Sequence, residues 1–133
     1  MRYTTTVLVL GEEQWGQTIR QKLPHWQKRF VLVPDIWHLC ALPQSVQASA
    51  AAFHRSFPHG DLRYAAEYLR RRWPDVAILV AGEQATQLDD PLYDDVTAPN
   101  ISPEELAHVI EKLVQSRRRS KNLERPFLGG ARR

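Results

Sequence analysis

Two short apolar runs closed by glycine, "TTTVLVLG" at 4–11 and "VAILVAG" at 76–82, constrain this chain more than any other feature. Neither alternates apolar with polar residues, so each reads as a strand covered on both faces. "RFVLVPD" at 29–35 adds a second strand between them. The intervening stretches carry helical spacing. In "EEQWGQTIRQKLPHW" (12–26) Trp15, Ile19 and Leu23 recur every four residues, behind an acidic first turn and ahead of Pro24. In "GDLRYAAEYLRRRWPD" (60–75) Leu62, Ala65, Ala66, Leu69 and Trp73 form a stripe that Pro74 stops. In "ISPEELAHVIEKLV" (101–114) Ser102 caps, Pro103 suits the first helical position and Glu105 completes a capping box ahead of Leu106, Val109, Ile110, Leu113 and Val114. The segment "IWHLCALPQSVQASAAAF" (36–53) lacks a period that forces a strand, and its alanines favour helix. Doubly buried strands alternating with helices predict an α/β domain, a parallel sheet with helices on both faces.

Length and charge then divide the chain. At 133 residues there is room for one core, so the expectation is a domain at 1–116 and a basic, flexible C-terminal tail at 117–133, where apolar periodicity has stopped. The net charge of +3 hides that division: the tail holds seven Lys/Arg against one Glu, whereas the body is net −3. The body is therefore no basic nucleic-acid surface. No apolar run approaches a membrane span and the start lacks the stages of a signal peptide, which predicts a cytoplasmic location without membrane contact. Cys40, the single cysteine, has no internal disulfide partner and reads as a small buried hydrophobe.

The combination "RRRWPDVAILVAG" (70–82) followed by "YDDVTAPNISPEELAHVIEKL" (93–113) resembles the CheY-like receiver domain of response regulators, over residues 4 to 116. That family runs from an arginine-rich helix into "WPD" and a buried strand, then "DDYLTKP", then "SPEEL". The resemblance implies a flavodoxin-like, five-stranded parallel sheet with its site at the carboxyl ends of the strands. It also implies a chemistry: two acidic residues after the first strand hold Mg²⁺, an aspartate after the third accepts a phosphoryl group, a Ser or Thr ends the fourth, and a Lys precedes a proline after the fifth. Those groups offset the charge of the transferring phosphoryl.

Carried over position by position, the set is degenerate. Gly11 stands at the first acidic position and Glu12 at the second, Ala81 at the Ser/Thr position and Ala98 at the lysine position. The family's spacing from Asp35 to Pro58 puts His54 in the acceptor's place; Asp35 itself, the alternative, would leave no room for the strand and helix that must precede it. The expectation is a non-enzymatic pseudo-receiver without metal or cofactor, acting in signalling or assembly through protein contacts independent of phosphorylation. The alternatives are an atypical phosphotransfer-competent regulator using Glu12, Glu13 and His54 or Asp35, and a nucleic-acid-binding regulator acting through the tail.

Other signals are secondary. His38, Cys40 and His59 lack metal-ligand spacing, and Gly11 with Gly16 lacks a nucleotide-binding fingerprint. Tyr64, Tyr68, Arg63, Arg71 and Arg72 make a basic aromatic helix face that nucleic acid could stack on, against which the same aromatics fit a core. The stretch "LDDPLYDD" (88–95) is short for the segment between a receiver's fourth and fifth strands, which puts the helix usual there in doubt. By resemblance, a partner face is expected around Tyr93, Asp94, Asp95, Glu104 and Glu105, with Arg117, Arg118, Arg119 and Phe127 as tail contacts. A signalling kinase, another regulator, or a second copy forming a homodimer would be its partner.

Overall fold

The computed structural model describes residues 5–22, 28–82, 88, 92–98 and 100–126. Five strands, β1 (Thr5–Leu10), β2 (Lys28–Val33), β3 (Ala48–Phe53), β4 (Ala77–Ala81) and β5 (Asp95–Thr97), alternate with four helices, α1 (Glu13–Lys22), α2 (Ile36–Cys40), α3 (Leu62–Arg72) and α4 (Pro103–Pro126). A single 3₁₀ turn, His59–Asp61, leads into α3. All strand pairs are parallel and the order is β2-β1-β3-β4-β5. This is the doubly wound arrangement that resemblance implied, and its chain reverses direction across the sheet between β1 and β3.

The reason lies in the strands. Along β1, Leu8 and Leu10 join the α2/α3 core while Val7 and Val9 join the α1/α4 core, so all four are removed from water. Helix α1 approaches β2 so closely that a Cβ at Gly16 would lie 2.2 Å from Leu32 Cδ2. A glycine in mid-helix costs conformational entropy, which this close packing offsets. Helix α4 opens as its sequence predicts: the Glu105 amide donates to Ser102 Oγ at 3.2 Å and the Ser102 amide to Glu105 Oε1 at 3.4 Å.

Three expectations need correction or extension. The alanine-rich stretch that favours helix forms β3, the middle strand of the sheet, with Ala50, Ala51 and Ala52 all buried. Cys40 is exposed rather than buried, because α2 is one short turn whose inward position is taken by Leu39. Helix α4 continues to Pro126, twelve residues beyond Val114, the last residue of its apolar stripe. Arg117, Arg118 and Arg119 lie on that helical backbone, their side chains outside the described part; Phe127 lies outside the described residues, as does most of the segment between β4 and β5 on which a further helix was in doubt. Among the described residues no helix is long and apolar enough to cross a membrane.

Candidate functional site

The five positions singled out by resemblance converge at the carboxyl edge of the sheet. Gly11 and Glu12 leave β1, His54 leaves β3, Ala81 ends β4 and Ala98 follows β5. His54 thus sits where the family's spacing put it, and its amide is fixed by a 2.7 Å bond to the Leu10 carbonyl. Asp35 is elsewhere, at the start of α2. It caps that helix by accepting from the His38 amide at 3.0 Å, and its Oδ1 lies 2.8 Å from His38 Nδ1. The His38 side-chain and backbone hydrogen bonds hold the Asp35 carboxyl below the ordinary carboxylate range.

The edge is filled by its own side chains. The Ser56 amide donates to His54 Nδ1 at 3.2 Å, and the Ser56 hydroxyl lies 2.7 Å from the same nitrogen. Ser56 Oγ in turn accepts from the Glu12 amide at 2.8 Å, which ties the loop after β1 to the loop after β3. Trp15, one turn into α1, stacks on the His54 ring with centroids 4.4 Å apart and planes inclined by 28°. Between Trp15, His54, Ala81 and Ala98 there remains a cavity of about 10 Å³, room for a single water.

The first acidic position is closed by this arrangement. Gly11 has φ +157°, and a Cβ built on it would lie 2.7 Å from His54 Cβ and 2.8 Å from Ser56 Oγ. Both are closer than real Cβ atoms approach a neighbour, so a carboxylate cannot be placed there without displacing His54. Glu12 and Glu13 are exposed and precede or begin a helix, where a carboxylate faces the helix dipole in water. The residues present do not fit a Mg²⁺ held as receivers hold it: one of the paired carboxylates has no side chain and its space is occupied. Trp15 and Ser56 were not singled out by sequence reasoning as site residues. Trp15 was absorbed into the apolar stripe of α1; the signal for Ser56 was its place two residues after His54, the spacing of a local side-chain turn.

On the expected partner face the structure separates the residues. Asp94 turns inward: its Oδ2 accepts from the Ile78 amide at 2.7 Å and from Arg70 Nη2 at 3.1 Å, while its own amide donates to the Ile78 carbonyl at 2.8 Å. Tyr93 is half-buried against the α2/α3 core. Asp95, Glu104 and Glu105 are exposed, although Glu105 is engaged in the helix cap. Val96, Ile101, His108 and Val109 line a groove of about 530 Å³ between β5 and α4, bordered by Glu104 and Glu105. Among the described residues no three His, Cys, Asp or Glu side chains gather as metal ligands.

No family model matches the sequence, and no curated protein does. Solved structures do match. The chain superposes on an adenylate cyclase from Rhodopirellula baltica with TM-score 0.75 at 9% identity, covering 96% of this chain and 100% of that one. A CheY-like response regulator receiver domain protein from Methanospirillum hungatei gives TM-score 0.74 at 11% identity over 89% of this chain and 99% of that one. A response regulator from Burkholderia pseudomallei, solved with a phosphorylated aspartic acid, gives TM-score 0.66 at 15% identity over 90% and 74%. With its β2-β1-β3-β4-β5 parallel order and these neighbours, the chain has the fold of the CheY-like response regulator receiver domains.

Proposed function

We propose that this protein is a pseudo-receiver: a signalling or assembly module of the two-component type that works by protein contact and not by phosphoryl transfer. The observation that carries the reading is the occupied space at Gly11, where His54 Cβ and Ser56 Oγ stand within 2.8 Å of where a side chain would begin. A phosphoryl group arriving at this edge carries negative charge that must be neutralised. Ala98 brings no ammonium, Ala81 no hydroxyl and Gly11 no metal ligand, so the barrier-lowering groups are missing together. Protein partners are met on the outer face of β5 and α4, through Asp95, Glu104 and the groove beside them, with the basic residues from Arg117 onward as a second contact.

The test exposes the full chain to acetyl phosphate, and separately to beryllofluoride, each with Mg²⁺. Intact mass reports covalent transfer, and tryptophan fluorescence reports the site because Trp15 stacks on His54. The expected outcome is an unchanged mass and no saturable fluorescence response. A saturable change that requires Mg²⁺ would favour phosphotransfer through His54 or Glu12 and overturn the proposal.

A further inference from the structure

The outward stripe of α3 carries Tyr64, Tyr68, Arg71 and Arg72 at helical spacing, opposite the buried Leu62, Ala65, Ala66 and Leu69. Two members of the neighbourhood have structural work. Arg72 donates to the Leu42 and Pro43 carbonyls and lies 4.4 Å over the Trp73 ring, and Trp73 Nε1 donates to the Val46 carbonyl at 3.1 Å. These contacts tie the 42–46 loop to the C-terminal end of α3 and border a groove of about 760 Å³ between that loop, the end of α2 and α3. Cys40 lines it from α2 and Tyr64 from α3. Trp37, one helical turn before Cys40, shares its side of α2 and is 79% exposed, and Tyr64 is 51% exposed. These are the two most exposed large apolar side chains described in the protein, and Tyr64 lines the groove itself.

Charge selects the occupant. No carboxylate lines the groove. Arg63 is paired with Glu67 and Arg70 with Asp94, so among the described residues Arg71 is the α3 arginine left without an ion pair or hydrogen-bond partner. A nucleic-acid strand needs a track of several cations, and one arginine does not make one. A single exposed guanidinium beside Trp and Tyr is instead the composition of a protein-contact centre, with the arginine suited to a carboxylate.

We propose that this groove is a docking site for an acidic segment of another protein, with Tyr64 as the apolar anchor and Arg71 as the carboxylate contact. The site lies on the opposite sheet face from α4 and is independent of whether the β1/β3 edge accepts phosphate.

The protein's single cysteine supplies the reporter, because Cys40 is exposed and lines the groove. The rate of maleimide modification of Cys40 is measured on the full chain alone and with a random Glu–Tyr copolymer, an oligothymidylate, or a large excess of the unlabelled protein with its cysteine blocked. Copolymer at about ten times its dissociation constant should slow modification about tenfold if it covers the groove. Arg71→Glu and Tyr64→Ala, both at exposed positions, should each weaken copolymer binding about tenfold or more, so that at the same concentration the slowing falls to about twofold or less, with the circular dichroism spectrum unchanged. Copolymer that binds while Cys40 stays reactive is held by the basic C-terminal residues, and the proposal is wrong. It is equally wrong if oligothymidylate or the protein itself protects Cys40 better than the copolymer, or if Arg71→Glu leaves protection intact.

Discussion

Gly11→Ala isolates the contact that distinguishes this sheet edge. The added methyl carbon would begin 2.7 Å from His54 Cβ and 2.8 Å from Ser56 Oγ, against an ordinary contact of 3.4 Å or more. Neither neighbour is the free end of a flexible side chain: His54 is stacked on Trp15, and Ser56 Oγ bridges His54 Nδ1 and the Glu12 amide. Overpacking of this kind costs about 1–3 kcal/mol. The backbone at φ +157° adds strain of about 1 kcal/mol once a Cβ is present. The expected loss is therefore about 2–4 kcal/mol in urea unfolding followed by tryptophan fluorescence, with the m-value unchanged. Gly60→Ala is the matched control, because a Cβ there meets nothing within 4 Å and should shift stability by less than about 0.5 kcal/mol. The steric origin is checked by a cycle. In a His54→Gly, Ser56→Ala background both colliding atoms are gone, and the cost of Gly11→Ala should fall to about 1 kcal/mol, the backbone part alone. Gly11→Asp should be at least as costly as Gly11→Ala and should not be rescued by Mg²⁺. An Ala variant as stable as wild type, a cost equal in both backgrounds, or rescue by Mg²⁺ would each refute the reasoning.

Two further outcomes follow from polar contacts. Asp94→Ala removes the acceptor of both the Ile78 amide and Arg70, in a pair whose side chains are 20% and 17% exposed, and should cost about 2–3 kcal/mol in the same assay; an Asp94→Asn variant keeps an acceptor for the amide and should lose less. The Asp35 carboxyl is held below its ordinary value in the folded protein, so its stabilising contribution is complete above the unfolded carboxylate pKa and disappears as pH falls through the lowered one. Asp35→Asn, which still caps a helix, should thus narrow its stability gap from wild type between pH 7 and pH 3; a gap constant with pH would show that the His38 contact contributes nothing.

How much of this was legible beforehand depends on whether the deciding force was local. The buried runs of β1 and β4 and the capping box of α4 announce themselves, because burial on both faces and helix initiation are written in adjacent residues. Strand β3 is not announced. Ala50, Ala51 and Ala52 have a helical preference that is overridden by hydrogen bonding to β1 on one side and β4 on the other, and no neighbour in sequence reports that. Asp94 misleads for a similar reason: within an acidic run it reads as part of an exposed partner face, and only the 24-residue return to Arg70 reveals it as part of the β4–β5 seam. Resemblance supplied the placement of His54, but it could not supply the partners of His54, since Trp15 and Ser56 occupy positions where the family's motif makes no demand.

The topology explains why the side chains at this edge pack as a set. In a 2-1-3-4-5 sheet the connections after β1 and β3 leave in opposite directions, and a crevice opens between them. A crevice lined by carboxylates needs a cation to offset their repulsion, and a crevice lined by nothing leaves a void that costs dispersion contacts. Here His54 lies across it and Trp15 covers the imidazole, while Ser56 satisfies both the ring nitrogen and the Glu12 amide. That solution requires glycine at position 11, because the histidine's own Cβ stands where another side chain would start. Placing a carboxylate at position 11 alone therefore meets a packed neighbour. A functional phosphoryl site would demand at least positions 11, 54, 81 and 98 to change together, and a quadruple variant with Asp, Asp, Thr and Lys there, which also removes the imidazole that Trp15 stacks on, should bind beryllofluoride in a Mg²⁺-dependent way where Gly11→Asp alone does not. If Gly11→Asp alone gains the response, His54 does not hold the crevice shut.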